Sequence, residues 1–291
     1  MVEEAEVAAL PLPALMSNEA LMPYLDVAIR AAFAASKAIL GVYDGPFEVA
    51  HKADRSPVTR ADHEAHRAIE EVLAERQLPL LSEEGTHARA IERRDWAEYW
   101  LVDPLDGTKD FIQRNGEFTV NISLMRSDRQ GEWGTSAPVL GVIHAPVSDV
   151  LYFAWQGGGA WRQSDAATHP MLPTYERVAL SERLPLTEPG TTYTVLSSRS
   201  HHDPRTASFL DELRREHGTL AHRTVGSALK FGLMAEGRAH VYPRFAPTME
   251  WDTAAGQLIC SEAGRTLIDT TTQAPMRYNK AELVNNWFIV Q

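Results

Sequence analysis

Asp103 and Asp106 stand three positions apart in the stretch Trp100-Leu-Val-Asp-Pro-Leu-Asp-Gly-Thr-Lys-Asp-Phe111. The apolar run from Tyr99 to Val102 reads as the end of a buried strand, broken by Pro104 and closed by Gly107. Both carboxylates are therefore expected on a turn where that strand exits. Two unpaired carboxylates converging on one point repel, and a cation between them resolves the repulsion most cheaply. Gly107 allows close backbone approach to a ligand, and the N–H groups of Gly107 and Thr108 could hold phosphate oxygens if a helix starts there. An acidic turn by itself is common. This one is preceded by Leu81-Ser-Glu-Glu-Gly85 and answered by Glu250-Trp-Asp252.

Glu83, Asp103, Asp106 and Asp252 thus come from separate turns or element ends. Hard divalent cations take several oxygen ligands, and Mg²⁺ keeps waters while using a few carboxylates beside a substrate phosphate. Two such ions can activate water, hold phosphoryl oxygens and stabilise a leaving alkoxide. Zinc fits less well, because the eleven histidines show no ligand spacing: His201 and His202 are adjacent, and His63 and His66 lack a Cys or Glu-x-x-His context. A haloacid dehalogenase-type site needs one residue between its two aspartates, whereas two separate Asp103 from Asp106.

Composition sets the frame. The chain has 291 residues, 44% hydrophobic and 23% charged, which suits one large or two closely joined globular domains. A formal net charge of −11 argues against binding nucleic acid polymers or anionic membranes. An acidic protein acting on anions must therefore place cations locally. Cys260 is the single cysteine, which excludes an internal disulfide and a cysteine-based zinc site; its apolar surroundings imply a packed thiol. No run reaches membrane-span length, so the expectation is a soluble cytoplasmic protein, monomer or homodimer.

The elements that must position these residues follow from periodicity. Apolar positions from Leu21 to Leu40 predict an amphipathic helix over Asn18–Val42. A short strand is expected over Phe47–Lys52, and a second helix over Thr59–Gln77 with Asp62 in its first turn. Leu78–Leu81 reads as a strand ending on Glu83 and Glu84. Phe118–Met125, Val139–His144 and Val150–Trp155 read as successive strands. Gly157-Gly158-Gly159 lacks a following Lys-Ser/Thr and reads as a turn rather than a phosphate loop. Residues 163–192 carry Pro170, Pro173, Pro185 and Pro189 and read as a loop or edge region between halves. Beyond it, Thr192–Ser197 predicts a strand, Pro204–His217 and Gly226–Glu236 helices, Ala239–Tyr242 a strand, and Asp252–Ala263 a helix stopped by Gly264. The expected organisation is an N-terminal extension (1–17), a sub-domain 18–165 carrying most metal ligands, and a sub-domain 166–291 completing the site.

The stretch Asp103-Pro-Leu-Asp-Gly-Thr108, with Ser82-Glu-Glu84 and Trp251-Asp252-x-Ala-Ala-Gly256, resembles the inositol monophosphatase-like, lithium-sensitive, magnesium-dependent phosphatases. Within them, Lys52-Ala-Asp-x-Ser-Pro-Val-Thr59, Asp110 to Asn121, Ser198-Arg-Ser-His201, Gly226-Ser-x-Leu-Lys-Phe231 and Tyr242-Pro-Arg-Phe245 resemble the 3'(2'),5'-bisphosphate nucleotidase branch, the CysQ type. The resemblance implies an α/β fold, a layered α/β/α/β/α sandwich with mixed and antiparallel sheets. It implies two or three Mg²⁺ ions. Glu83, Asp103 and the Leu105 carbonyl would bind the first, and Asp103, Asp106 and Asp252 the second. Asp62 and Glu83 would place a third ion or the attacking water, and the Thr108 hydroxyl would orient that water. The Gly107 and Thr108 amides would hold the scissile phosphate. Ser197, Ser198, Arg199, His201, Ser227, Lys230 and Arg244 would meet the rest of the substrate. Glu250, where the family often has an apolar residue, is expected as an outward-facing neighbour of the site rather than a ligand.

The substrate so implied is 3'-phosphoadenosine 5'-phosphate, cleaved to AMP and phosphate by in-line attack of metal-activated water, with the sulfated analogue as a second substrate. The alternatives are an inositol or sugar monophosphatase of the same superfamily, and a non-catalytic metal- or nucleotide-binding homologue.

Overall fold

The computed structural model describes residues 18–51, 57–128, 135–198 and 204–291. The expected extension 1–17, and most of the Lys52–Thr59 motif, lie outside the described residues. Helix α1 (Asn18–Tyr43) buries Leu21, Leu25, Ala28, Ile29, Ala32, Phe33 and Ile39, the face its periodicity marks. The hairpin strands β1 (Val49–His51) and β2 (Pro57–Thr59) lead into α2 (Arg60–Leu73), which buries Ala61, Ala65, Ile69 and Leu73. Thr59 caps α2 by accepting from Ala61 N at 3.1 Å, and Asp62 reciprocates by accepting from Thr59 N at 2.7 Å.

A seven-stranded sheet forms the centre. It is built from β3 (Leu80–Ser82), β4 (Glu98–Asp106), β5 (Thr119–Ser127), β6 (Ser136–Ala145), β7 (Val150–Trp155), β8 (Gly159–Ser164) and β9 (Glu182–Arg183), in that order. Only β3 and β4 pair in parallel; every other neighbour is antiparallel. Short helices α3 (Ala90–Arg93), α4 (Thr108–Ile112) and α5 (Thr174–Ala179) lie in its connections. Strand β4 is buried on both faces, so its sequence is a continuous apolar run rather than an alternation. Trp100 and Val102 point to the core shared with α1 and α2, while Tyr99 and Leu101 point to the opposite core.

That second core is shared with α7 (Leu229–Ala235) and α8 (Glu250–Glu262). Gly141 on β6 admits α8 closely, since a Cβ there would meet the Ala255 carbonyl at 2.8 Å. Behind these helices lie the parallel pair β10 (Tyr193–Ser197) and β11 (Leu220–Thr224), and a four-stranded sheet. The latter's strands are β12 (Tyr242–Arg244), β13 (Leu267–Asp269), β14 (Ala274–Pro275) and β15 (Phe288–Val290). Helix α6 (Pro204–His217) closes the stack through Leu213 packed with Val195 and Val241. The architecture is an α/β/α/β/α sandwich with mixed and antiparallel sheets.

Several expectations need correction. Strand β4 does not break at Pro104 but runs on to Asp106. Its neighbour β3 has ended by Val102, so on that side Pro104 withholds no ladder bond. Residues 163–192 are not merely a loop. They hold a 3₁₀ turn at Ala166–Thr168, α5 and β9, the last pairing with β8 across the boundary expected at 165/166. Fully buried Arg177 organises this segment by donating to Gln163 Oε1 at 2.7 Å and the His169 carbonyl at 2.7 Å. Helix α7 begins at Leu229, and residues 226–228 form the turn before it. Strands β11, β13 and β15 are short and carry little pattern of their own. Gly157–Gly159 is indeed the turn between β7 and β8. Its Gly157 and Gly159 N–H groups donate to the Glu262 carboxylate at 2.9 Å each.

Candidate active site

The parallel register of β3 on β4 begins the site. Ser82 lies opposite Val102, and Glu83 N donates to the Val102 carbonyl at 3.1 Å, so Glu83 emerges beside Asp103. On the other side, Asp103 pairs with Asn121 and Asp106 with Thr119, three steps on β4 against two on β5. The extra residue makes a bulge that bends the strand and re-aims its side chains. Asn121 Nδ2 donates to Asp106 Oδ2 at 3.2 Å, and Asn121 Oδ1 accepts from Thr119 Oγ1 at 3.0 Å. The Asp103 carboxylate accepts from Leu105 N at 3.0 Å.

Gly107 follows with φ +93°, a left-handed conformation in which a Cβ would meet the Ser227 side chain at 3.2 Å. It starts α4, whose first residue Thr108 points its hydroxyl at Asp62. Thr108 Oγ1 donates to Asp62 Oδ1 at 3.1 Å and lies 3.4 Å from the Leu105 carbonyl. Asp62 Oδ2 accepts from Thr59 N and from Thr59 Oγ1 at 2.8 Å. Asp62 is buried, and that burial raises its pKa against the lowering pull of the Thr59 and Thr108 hydrogen bonds.

Asp252 arrives from α8. It is not the residue that begins the helix, as the sequence pattern implied, but stands two positions inside it. Its Oδ2 accepts from Met249 N at 2.8 Å, where a carboxylate also favours the positive helix end. Glu250 corrects another expectation. It does not face outward but is fully buried, accepting from Asn279 N at 2.7 Å and Lys280 Nζ at 2.6 Å.

Glu83, Asp103, Asp106 and Asp252 line one cleft of about 310 Å³, together with Leu105, Gly107, Thr108, Ser198, Ser227, Lys230 and Arg244. Burial and then the charges of Glu83, Asp106 and Asp252 push the Asp103 carboxyl well above the usual range. Asp252 is raised well above it too, by burial and then Asp106; Asp106 is raised by burial against the opposing pull of Lys230. Among the described residues, no three His, Cys, Asp or Glu side chains are drawn together closely enough to grip a metal ion as they stand. Mutually repelling carboxylates do not converge unaided. The donor set nevertheless fits a hard cation: it is all oxygen, supplied by four carboxylates and the Leu105 carbonyl in one cleft, and their shared field favours any positive charge.

The cationic side of the cleft is less uniform. Lys230 is buried, and its Nζ donates to the Val225 and Ser227 carbonyls at 3.1 and 2.6 Å. Burial brings its pKa down to about 8 despite Asp106 nearby. Most of its donor capacity therefore holds the 225–228 turn. Arg244 is half-buried, donating from Nη1 to Ser198 Oγ at 2.6 Å and from Nη2 to the Pro247 carbonyl at 3.4 Å. Ser227 sits in the turn with φ +46°. Of the two expected serines, Ser198 lines the cleft and Ser197 does not, its Oγ lying 3.3 Å from Thr224 Oγ1. Arg199 and His201 lie outside the described residues. Sequence reasoning missed Asn121 and Thr59, which hold Asp106 and Asp62. For Thr59 the signal was present as a Thr-x-x-Asp capping pattern. Cys260 is buried with its thiol pushed up by burial, as a packing residue would be.

The sequence profile of the inositol monophosphatase family matches residues 20–288. The chain belongs to the inositol monophosphatase family. Among its relatives, the 3'(2'),5'-bisphosphate nucleotidase CysQ of Salmonella typhimurium is 46% identical over 79% of this chain and 84% of that protein. The nucleotidase CysQ of Escherichia coli K12 is 42% identical over 89% of this chain and 95% of that protein. The crystal structure of CysQ from Bacteroides thetaiotaomicron, a bacterial member of the family, superimposes with a TM-score of 0.83 at 43% identity. It covers 94% of this chain and 98% of its own.

Proposed function

We propose that the chain is a 3'(2'),5'-bisphosphate nucleotidase that removes the 3'-phosphate of 3'-phosphoadenosine 5'-phosphate, giving AMP and phosphate, with Mg²⁺ as its cofactor. One observation carries the reading. A cleft whose lining carries Glu83, Asp103, Asp106 and Asp252 also presents a guanidinium, Arg244, in a chain 42–46% identical to curated nucleotidases over most of its length. The sulfated analogue, with the same 3'-phosphate, is a second substrate on this reading.

Glu83, Asp103, Asp106, Asp252 and the Leu105 carbonyl would hold two Mg²⁺ ions, and Asp62 with Glu83 a third ion or the attacking water. When bound, Mg²⁺ neutralises phosphate charge, assists ionisation of water and stabilises the leaving alkoxide. The chain's own residues do the rest. Asp62 Oδ2 is held by Thr59, which leaves Oδ1 to accept the Thr108 proton. With that proton committed, the Thr108 oxygen can accept one from an attacking water and align it with phosphorus. The proton passes from water to Thr108 Oγ1 and from Thr108 to Asp62 Oδ1. The raised pKa of Asp62 makes it a better base than an exposed carboxylate. Water adds to phosphorus as the bond to the 3'-oxygen breaks; the leaving oxygen takes up a proton from solvent to become the ribose hydroxyl, and Asp62 returns its proton to solvent. Gly107 and Thr108 amides, with Ser227, face the transferred group. Arg244 and Ser198 take the second phosphate, and Lys230 supports them by holding the 225–228 turn in place.

The test is phosphate release from 3'-phosphoadenosine 5'-phosphate, adenosine 3'-monophosphate and inositol 1-phosphate, each with Mg²⁺ and with EDTA. The expected result is Mg²⁺-dependent release, fastest from the bisphosphate. Equal or faster release from inositol 1-phosphate would point to a sugar or inositol phosphatase. No release from any substrate would leave a binding protein.

A further inference from the structure

We propose that buried Glu250 and Asn285, with half-buried Lys280, form a polar clamp that positions Asp252 and thereby sets the Mg²⁺ affinity of the cleft. This rests on the reading of Asp252 as a metal ligand. None of the three lines the cleft, so each acts through another residue.

Glu250 is the first residue of α8 and is fully buried, although a carboxylate could interact with the positive end of a helix just as well in water. A buried charge persists only when paired and hydrogen-bonded. Here both requirements are met by one short stretch of chain. The Glu250 carboxylate accepts from Asn279 N at 2.7 Å, Lys280 N at 3.1 Å and Lys280 Nζ at 2.6 Å. Lys280 Nζ also donates to Asn285 Oδ1 at 3.2 Å. Asn285 Nδ2 in turn donates to the Met249 carbonyl at 2.6 Å and to Thr253 Oγ1 at 2.9 Å.

Two routes therefore converge on Asp252. One runs along the α8 backbone from Glu250, two residues away. The other passes from Asn285 to the carbonyl of Met249, the residue whose own N–H holds Asp252 Oδ2 at 2.8 Å. An ion pair of this kind adds little net stability against an apolar replacement, but it specifies which geometry is adopted. The geometry specified here is the position and tilt of the first turn of α8 against the 279–285 segment. Asp252 must otherwise be held among three other carboxylates that repel it, and a loosely held ligand binds its cation less well.

The experiment titrates MgCl₂ alone into the full chain by calorimetry, for wild type, Glu250→Gln, Asn285→Ala and Lys280→Arg. Activity is followed as a function of Mg²⁺, and thermal unfolding in EDTA. Expected are a fall in Mg²⁺ affinity of about tenfold or more for Glu250→Gln and Asn285→Ala, with kcat and KM near wild type once Mg²⁺ saturates. Lys280→Arg, which keeps the cation, should retain most of the affinity. Asn285→Ala leaves no unpaired buried carboxylate, so it reads the clamp even if Glu250→Gln does not fold. Variants that lose stability yet bind Mg²⁺ as wild type does would reduce the clamp to a packing feature and overturn the proposal. A wild type that binds no Mg²⁺ would instead overturn the metal reading of the cleft, and the clamp with it.

Discussion

Removing the Arg244 guanidinium separates a nucleotidase that reads two phosphates from a phosphatase that reads one. In the folded protein this side chain is half-buried on the cleft wall and held by Ser198 Oγ at 2.6 Å, so its fork is presented at small entropic cost. A bound phosphate receives charge-assisted hydrogen bonds worth about 1.5–3 kcal/mol each. Alanine would forfeit one or two of these, offset by about 1 kcal/mol for the Ser198 bond that substrate binding partly displaces. A net loss of about 2 kcal/mol remains, or about thirtyfold in kcat/KM. The assay compares kcat/KM for 3'-phosphoadenosine 5'-phosphate and adenosine 3'-monophosphate, which differ only in the 5'-phosphate. Arg244→Ala should lower the first about thirtyfold and leave the second within about twofold. Arg244→Lys should recover part of the loss, because an ammonium keeps the charge without the bidentate fork. If both substrates fall equally, or neither falls, Arg244 does not read the second phosphate.

Three further outcomes follow from the same geometry. Thr108→Ala removes the hydroxyl that Asp62 holds and should lower kcat by about 100-fold or more with KM nearly unchanged; a raised KM at unchanged kcat would make Thr108 only a phosphate contact. Asp103→Asn should abolish nearly all Mg²⁺-dependent turnover while the fold persists by circular dichroism, whereas a variant retaining most turnover would remove Asp103 from the metal shell. In EDTA, Asp103, Asp106 and Asp252 carry raised pKa values, so above the ordinary carboxylate pKa near 4 the folded state binds more protons than the unfolded one. Stability then falls as pH rises through that window. The denaturant midpoint should drop as pH rises above about 5, and saturating Mg²⁺ should flatten the slope; a midpoint that rises with pH in EDTA would contradict the raised carboxylates.

Much of this protein was legible in one dimension. Where an element is long and buries one stripe, as in α1, or is capped by its own side chains, as in α2, the pattern names it nearly to the residue. The chemistry was legible for a different reason. Carboxylates followed by Gly-Thr after an apolar strand form a local motif, and Asp103, Asp106 and Thr108 lie within six residues of one another. What stayed hidden was whatever depends on a distant partner. The end of β4 was misread because Pro104 looks like a terminator until it is seen that β3 stops before it and that a bulge against β5 absorbs the extra residue. Residues 163–192 looked loose because their order comes from Arg177 reaching back to Gln163 and His169, not from any period.

Glu250 and Lys230 make the same point at the level of charge. A sequence records that they are ionised types, and the default for such side chains is exposure. Only the fold brings Lys280 and Asn279 to Glu250, and the Val225 and Ser227 carbonyls to Lys230, so that each can be buried with its charge compensated. Residue types and local spacing were enough to mark the acid–hydroxyl motif and the family. Tertiary structure decided that Glu83, Asp103, Asp106 and Asp252 meet in one cleft, because register, bulge and helix packing fix positions that spacing along a chain cannot.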